Sequence, residues 1–132
     1  MKSLILEPTE FTPDLHFDPE QNVLNIAGFS RPENVIGFYK PVVKWVQDYI
    51  EDVVVNNTEF DKALITMNFR MTYFNSSSAK FLLDILFELR KIHEKGNRVV
   101  VNWYYESDDD EIKESGEELS DLVCLPFNYY DY

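Results

Sequence analysis

The chain has 132 residues, 24 of them acidic and 12 basic, for a formal charge of −12. That length fits one domain with a real core and is short for two, and that charge, uncompensated by any local Lys/Arg stripe, argues against nucleic acid and membrane as partners. The single cysteine (Cys124) permits no internal disulfide, no apolar run approaches the ~20 residues of a membrane span, and no signal peptide opens the chain, so a reducing cytoplasm is the expected location.

Residues 11–29, "FTPDLHFDPEQNVLNIAGF", alternate apolar and polar on both sides of a Pro/Asn turn and predict an N-terminal hairpin. After "SRPEN" (30–34), Val35, Phe38, Tyr39, Val42, Val43, Val46, Tyr49, Ile50 and Val53 recur at helical spacing, with Ser30 or Asn34 as the cap. Pro41 lies inside this pattern and withholds a backbone donor from Gly37, so the helix is expected to kink there or to start only near it. Residues 62–69, "KALITMNF", read as a short strand. Residues 77–95 read as a second amphipathic helix closed by Gly96, and 98–105, "RVVVNWYY", as a β-branched and aromatic strand. The acidic run 106–119 predicts a solvated loop with a short helix, and 122–130, "LVCLPFNYY", a closing strand interrupted by Pro126. The order ββαβαβαβ implies an α/β fold, a mixed sheet of four to five strands with helices packed on it, in a single domain over 1–132.

Few residues offer catalytic or metal chemistry. His16 and His93 fall on different elements with no third ligand at metal spacing, and the acidic run lacks the register of a calcium loop. No phosphate-binding glycine loop, nucleophile elbow or Cys/His pairing is present, so neither a metal, a cofactor nor an enzymatic activity is expected.

The junction "MTYFNSSSAKFLLDIL" (71–86) stands out. One serine suffices to cap a helix, worth about 0.5–2 kcal/mol, yet Ser76, Ser77 and Ser78 follow one another. A helix N-terminus also tolerates phosphate, because its free N–H groups and partial positive charge favour an anion. Phosphorylation there would change the surface without unfolding the domain.

Several stretches together resemble the SiaC family of bacterial regulatory phosphoproteins, whose fold is similar to STAS domains such as the anti-sigma factor antagonists: 12–28, 31–46, "YFNSSSAKFLLDIL" (73–86) and 103–127. The specific part is Y-x-N-[ST]-S-S-x-K between strand and helix. The resemblance implies that the hydroxyl after the Asn, Ser76, is the regulatory phosphorylation site, with Ser77 and Ser78 as the alternative acceptors. It also implies a partner switch: a cognate kinase, a PP2C-like phosphatase, and a target bound by the unmodified form, a diguanylate cyclase in the best-known branch. Asn75 would then shape the turn, and Lys80, one helical turn on, would pair with a phosphate.

Helical spacing gives a separate clue. Leu82, Ile85, Leu86, Leu89 and Ile92 form one stripe, the expected core face, whereas Phe87 falls away from it. Leu83, at the stripe's edge, is four residues from Phe87, and the two form an apolar ridge expected to serve as a partner-binding surface. A small-ligand sensor on a STAS-like fold is the alternative to an adaptor, given eight Tyr, ten Phe and two Trp.

Overall fold

The computed structural model describes residues 1–56 and 62–132. Strands β1 (Leu4–Leu6), β2 (Asp14–Asp18) and β3 (Val23–Ser30) pair antiparallel. At the β2–β3 turn, Asp18 Oδ1 accepts from the Glu20 and Gln21 amides, and Asn22 takes the left-handed conformation with φ 57°. From β3 the chain alternates helix and strand: α1 (Val35–Asn56), β4 (Leu64–Phe74), α2 (Ser76–Glu94), β5 (Arg98–Tyr105), α3 (Asp110–Val123) and β6 (Phe127–Asp131).

The six strands lie side by side in chain order, with β3 to β6 parallel. Crossovers of one hand that each step one strand in the same direction place their helices on the same face. The burial pattern matches: Phe17, Ile26, Met67, Phe69, Val101 and Trp103 are buried beneath the helices, and alternate residues of the same strands face away from them.

Six strands exceed the four to five expected. The surplus is β1, three residues and too short to carry a periodic signal, which pairs with β2. Strand β4 also runs past the expected end at residue 69. Its pairing with β3 slips by one residue at Gly28/Phe29, where Gly28 has φ +106°. That bulge swaps the side of everything after it, so Phe74 meets Trp103 edge-on while Tyr73 stacks on Phe29 on the other face.

Helix α1 starts well before Pro41. Asn34 caps it, its Oδ1 accepting from the Gly37 amide at 3.0 Å, and Pro41 sits exposed within the helix. Helix α3 is longer than the short helix expected in the acidic run, and it is not wholly solvated. Its 14 residues are capped by Asp109 and bury Ile112, Gly116, Leu119 and Val123, because the acidic residues occupy only its outer face. Residues 122–123 belong to this helix, so the closing strand begins at Phe127, directly after Pro126.

The uncovered sheet face carries a row of amides. Asn25, Asn68, Asn102 and Asn128 are in register on β3 to β6, and the amides of the last three each donate to the Oδ1 of the asparagine before, at 2.8, 2.9 and 3.2 Å. Among the described residues no helix is long and apolar enough to cross a membrane.

Candidate functional site

The β4–α2 junction resolves what each serine does locally. The helix cap is Asn75 rather than a serine: its backbone is extended, its Oδ1 accepts from the Ser78 amide at 2.9 Å, and its carbonyl accepts from the Ala79 amide. Ser76 and Ser77 therefore occupy the first two helical positions, whose N–H groups have no intrahelical acceptor. Both side chains are exposed.

Ser78 is completely buried. Its Oγ accepts from Ser30 Oγ at 2.9 Å and donates to the Ser30 carbonyl, while Ser30 Oγ lies 2.6 Å from the Tyr39 hydroxyl. With the Ser30 proton committed to Ser78, Tyr39 donates to Ser30, and one chain of hydroxyls ties α1, β3 and α2 together. Burial pushes the Tyr39 phenol above its ordinary value, against the lowering effect of these two serines. Of the three hydroxyls, Ser78 is thus enclosed, and only those of Ser76 and Ser77 are exposed.

Ser76 opens onto a groove of about 450 Å³ between the start of α2 and α3. Asn75, Ser76, Lys80 and Leu83 line one side, and Ser115, Glu118 and Leu122 the other. The Lys80 ammonium sits 5.0 Å above the Phe81 ring, one turn along the helix from Ser76. Phe87 lies farther along α2, outside this groove, and is 39 % exposed; Leu83 is half-buried against the core. The expected core stripe Leu82, Ile85, Leu86, Leu89 and Ile92 is fully buried.

Sequence reasoning missed Leu122, 60 % exposed on the α3 wall opposite Leu83. Its signal was available in the period of α3: Ile112, Leu119 and Val123 share one face, and Leu122 lies beside it. Among the described residues, no cluster of His, Cys, Asp and Glu is arranged to hold a metal ion.

The comparisons with known proteins converge. An uncharacterized protein of Pseudomonas aeruginosa (strain UCBPP-PA14) is 28 % identical over 127 residues, covering 96 % of this chain and 94 % of its own. The crystal structure of apo-SiaC from Pseudomonas aeruginosa matches with a TM-score of 0.82 at 28 % identity, over 98 % of this chain and 99 % of that one. SiaC crystallised with the diguanylate cyclase SiaD, which it activates, matches with a TM-score of 0.84 at 26 % identity, over 98 % and 99 %. The family model for SiaC family regulatory phosphoproteins matches residues 6–132, nearly the whole length, and the chain belongs to that family.

Proposed function

We propose that this protein is a single-domain, STAS-like, cytoplasmic adaptor of a partner-switching pathway, with no enzymatic activity of its own. A cognate kinase phosphorylates Ser76, a PP2C-like phosphatase reverses it, and the unphosphorylated form binds and activates a diguanylate cyclase, as SiaC of Pseudomonas aeruginosa activates SiaD. The observation that carries the reading is the position of Ser76: an exposed hydroxyl at the first position of α2, opening onto a groove with Lys80 on its wall. A phosphate there gains the free N–H groups of the helix start and brings about −1.5 to −2 charges into the groove. A partner matched to a neutral hydroxyl would then meet a hydrated dianion.

The experiment is kinase treatment followed by intact-protein mass and peptide mapping. One phosphate is expected, on Ser76, retained in Ser77→Ala and lost in Ser76→Ala. Undiminished phosphorylation of Ser76→Ala would overturn the assignment.

A further inference from the structure

We infer that Ser78 is the positioning residue of the phosphoacceptor turn: its hydroxyl closes a ring of hydrogen bonds that sets which of the two exposed serines is modified. The inference rests on the reading of Ser76 as the acceptor and names what selects it over Ser77.

Three bonds make the ring. The Ser30 carbonyl, at the end of β3, accepts from the Asn75 amide and from Ser78 Oγ, each at 3.2 Å, and the Ser78 amide donates back to Asn75 Oδ1 at 2.9 Å. One carbonyl of β3 thus holds both the cap and the third residue of α2, on either side of Ser76 and Ser77. Ser30 is completely buried and pairs with Phe74 across the parallel ladder, so the ring is anchored to the sheet. The Asn75 cap alone is internal to the turn, and a first helical turn held only by its own cap frays. The Ser78 hydroxyl adds a tie to a residue 48 positions earlier.

That tie fixes direction. Ser76 and Ser77 have the same chemistry and are both exposed, but successive helical residues point about 100° apart. Ser76 lines the groove between α2 and α3, and Ser77 does not. A kinase seated on this groove tells the two hydroxyls apart by direction, and a reacting oxygen misplaced by about 1 Å costs on the order of 100-fold in rate.

The Tyr39 hydroxyl, 2.6 Å from Ser30 Oγ, extends the buried chain of hydroxyls but lies outside the ring, which closes through the Ser30 backbone. Tyr39→Phe and Ser78→Ala therefore each delete one hydroxyl of that chain, and only the second opens the ring. Asn75→Ala opens it at a different bond, by removing the acceptor of the Ser78 amide.

The parent chain and these three variants are treated with the cognate kinase and ATP, with initial rates measured over a range of substrate concentration and phosphate on Ser76 and Ser77 apportioned by peptide mapping. Amide spectra establish that each variant is folded. The parent and Tyr39→Phe are expected to carry phosphate on Ser76 alone. In Ser78→Ala, kcat at Ser76 should fall about tenfold with KM within about twofold, because the groove that docks the kinase persists while the acceptor is no longer aimed. Phosphate should then appear on Ser77 as well, and Asn75→Ala should give the same redistribution, which keeps the test decisive if Ser78→Ala does not fold. An unchanged rate and an unchanged Ser76 to Ser77 ratio in the ring-opening variants would overturn the inference and leave Ser76 as the acceptor. Redistribution of equal size in Tyr39→Phe would overturn it too, since lost stability and not the ring would be the cause. Undiminished phosphorylation of Ser76→Ala is the separate result that overturns the acceptor reading itself.

Discussion

Three neighbouring serines share one chemistry and have two environments. Ser76 and Ser77 are exposed at the start of α2; Ser78, two residues on, is sealed under α1 by Ser30 and Tyr39. The same substitution should therefore give opposite results at two positions. Ser76→Asp puts a negative charge where the helix dipole favours it and should alter folding free energy by less than ~1 kcal/mol. Ser78→Asp buries an uncompensated carboxylate in place of a satisfied hydroxyl and should destabilise by about 3 kcal/mol or more. Urea unfolding of the two variants checks this; comparable midpoints would mean Ser78 is not enclosed as described. Asn75 performs the capping that was expected of a serine.

The helices meet their neighbours through single residues whose size is decisive. Gly116 lies against the Trp103 indole, and a Cβ added there would come within 2.6 Å of the Trp103 Cε2 and Nε1. That indole also donates to the Ile112 carbonyl at 2.9 Å, so it cannot retreat without breaking a buried bond. Gly116→Ala should destabilise: about 1–3 kcal/mol of overpacking outweighs the ~1 kcal/mol that alanine gains in helix propensity. A thermal unfolding midpoint at or above that of the parent chain would show that α3 shifts freely. On α2, Phe87 is 39 % exposed, beyond the groove that holds Ser76. If it anchors the target, Phe87→Ala should lower target affinity by about 1–3 kcal/mol and leave fold and phosphorylation intact. Calorimetry against the target decides this, with unchanged affinity removing Phe87 from the interface.

Across the whole molecule, the core is sheet on one side and three helices on the other, and it encloses two phenols. Tyr39 and Tyr49 are both buried and both titrate above their ordinary value of 10.0. Burial is the main cause in each, and the Asp18 and Asp52 charges push Tyr49 further. With pKa values raised in the folded state, the unfolded chain loses these protons first, so stability is full below pH about 10 and declines as pH rises beyond it. The urea midpoint should fall between pH 9 and 11, and Tyr49→Phe should flatten that fall. A pH-independent midpoint would contradict the burial. The open face poses a different problem, because parallel sheets are usually covered on both sides. The asparagine row answers it with hydrogen bonds that cross β3 to β6 and favour a single register.

What could be read locally was read correctly because its cause is local. The α2 core stripe follows from a 3.6-residue period, the hairpin from alternation around a Pro/Asn turn, and β5 from a β-branched and aromatic run; each depends on residues within a few positions of one another. The junction motif that leads to Ser76 is likewise contiguous. The asparagine row was half-visible, as one Asn between apolar neighbours in "LNI", "MNF", "VNW" and "FNY", but an isolated strand does not say which residue it faces. Strand β1 is too short for a pattern, and the acidity of α3 masked the four residues it buries. Which serine is accessible was never in the local sequence at all. Ser78 is closed off by Ser30, 48 residues earlier, and by a tyrosine from α1, and one wall of the groove beside Ser76 comes from α3, whose Gly116 lies against Trp103. Periodicity acts along one element, whereas enclosure requires elements distant in sequence to meet, so the chain alone determined its stripes and its motif and the tertiary structure decided which hydroxyls face solvent.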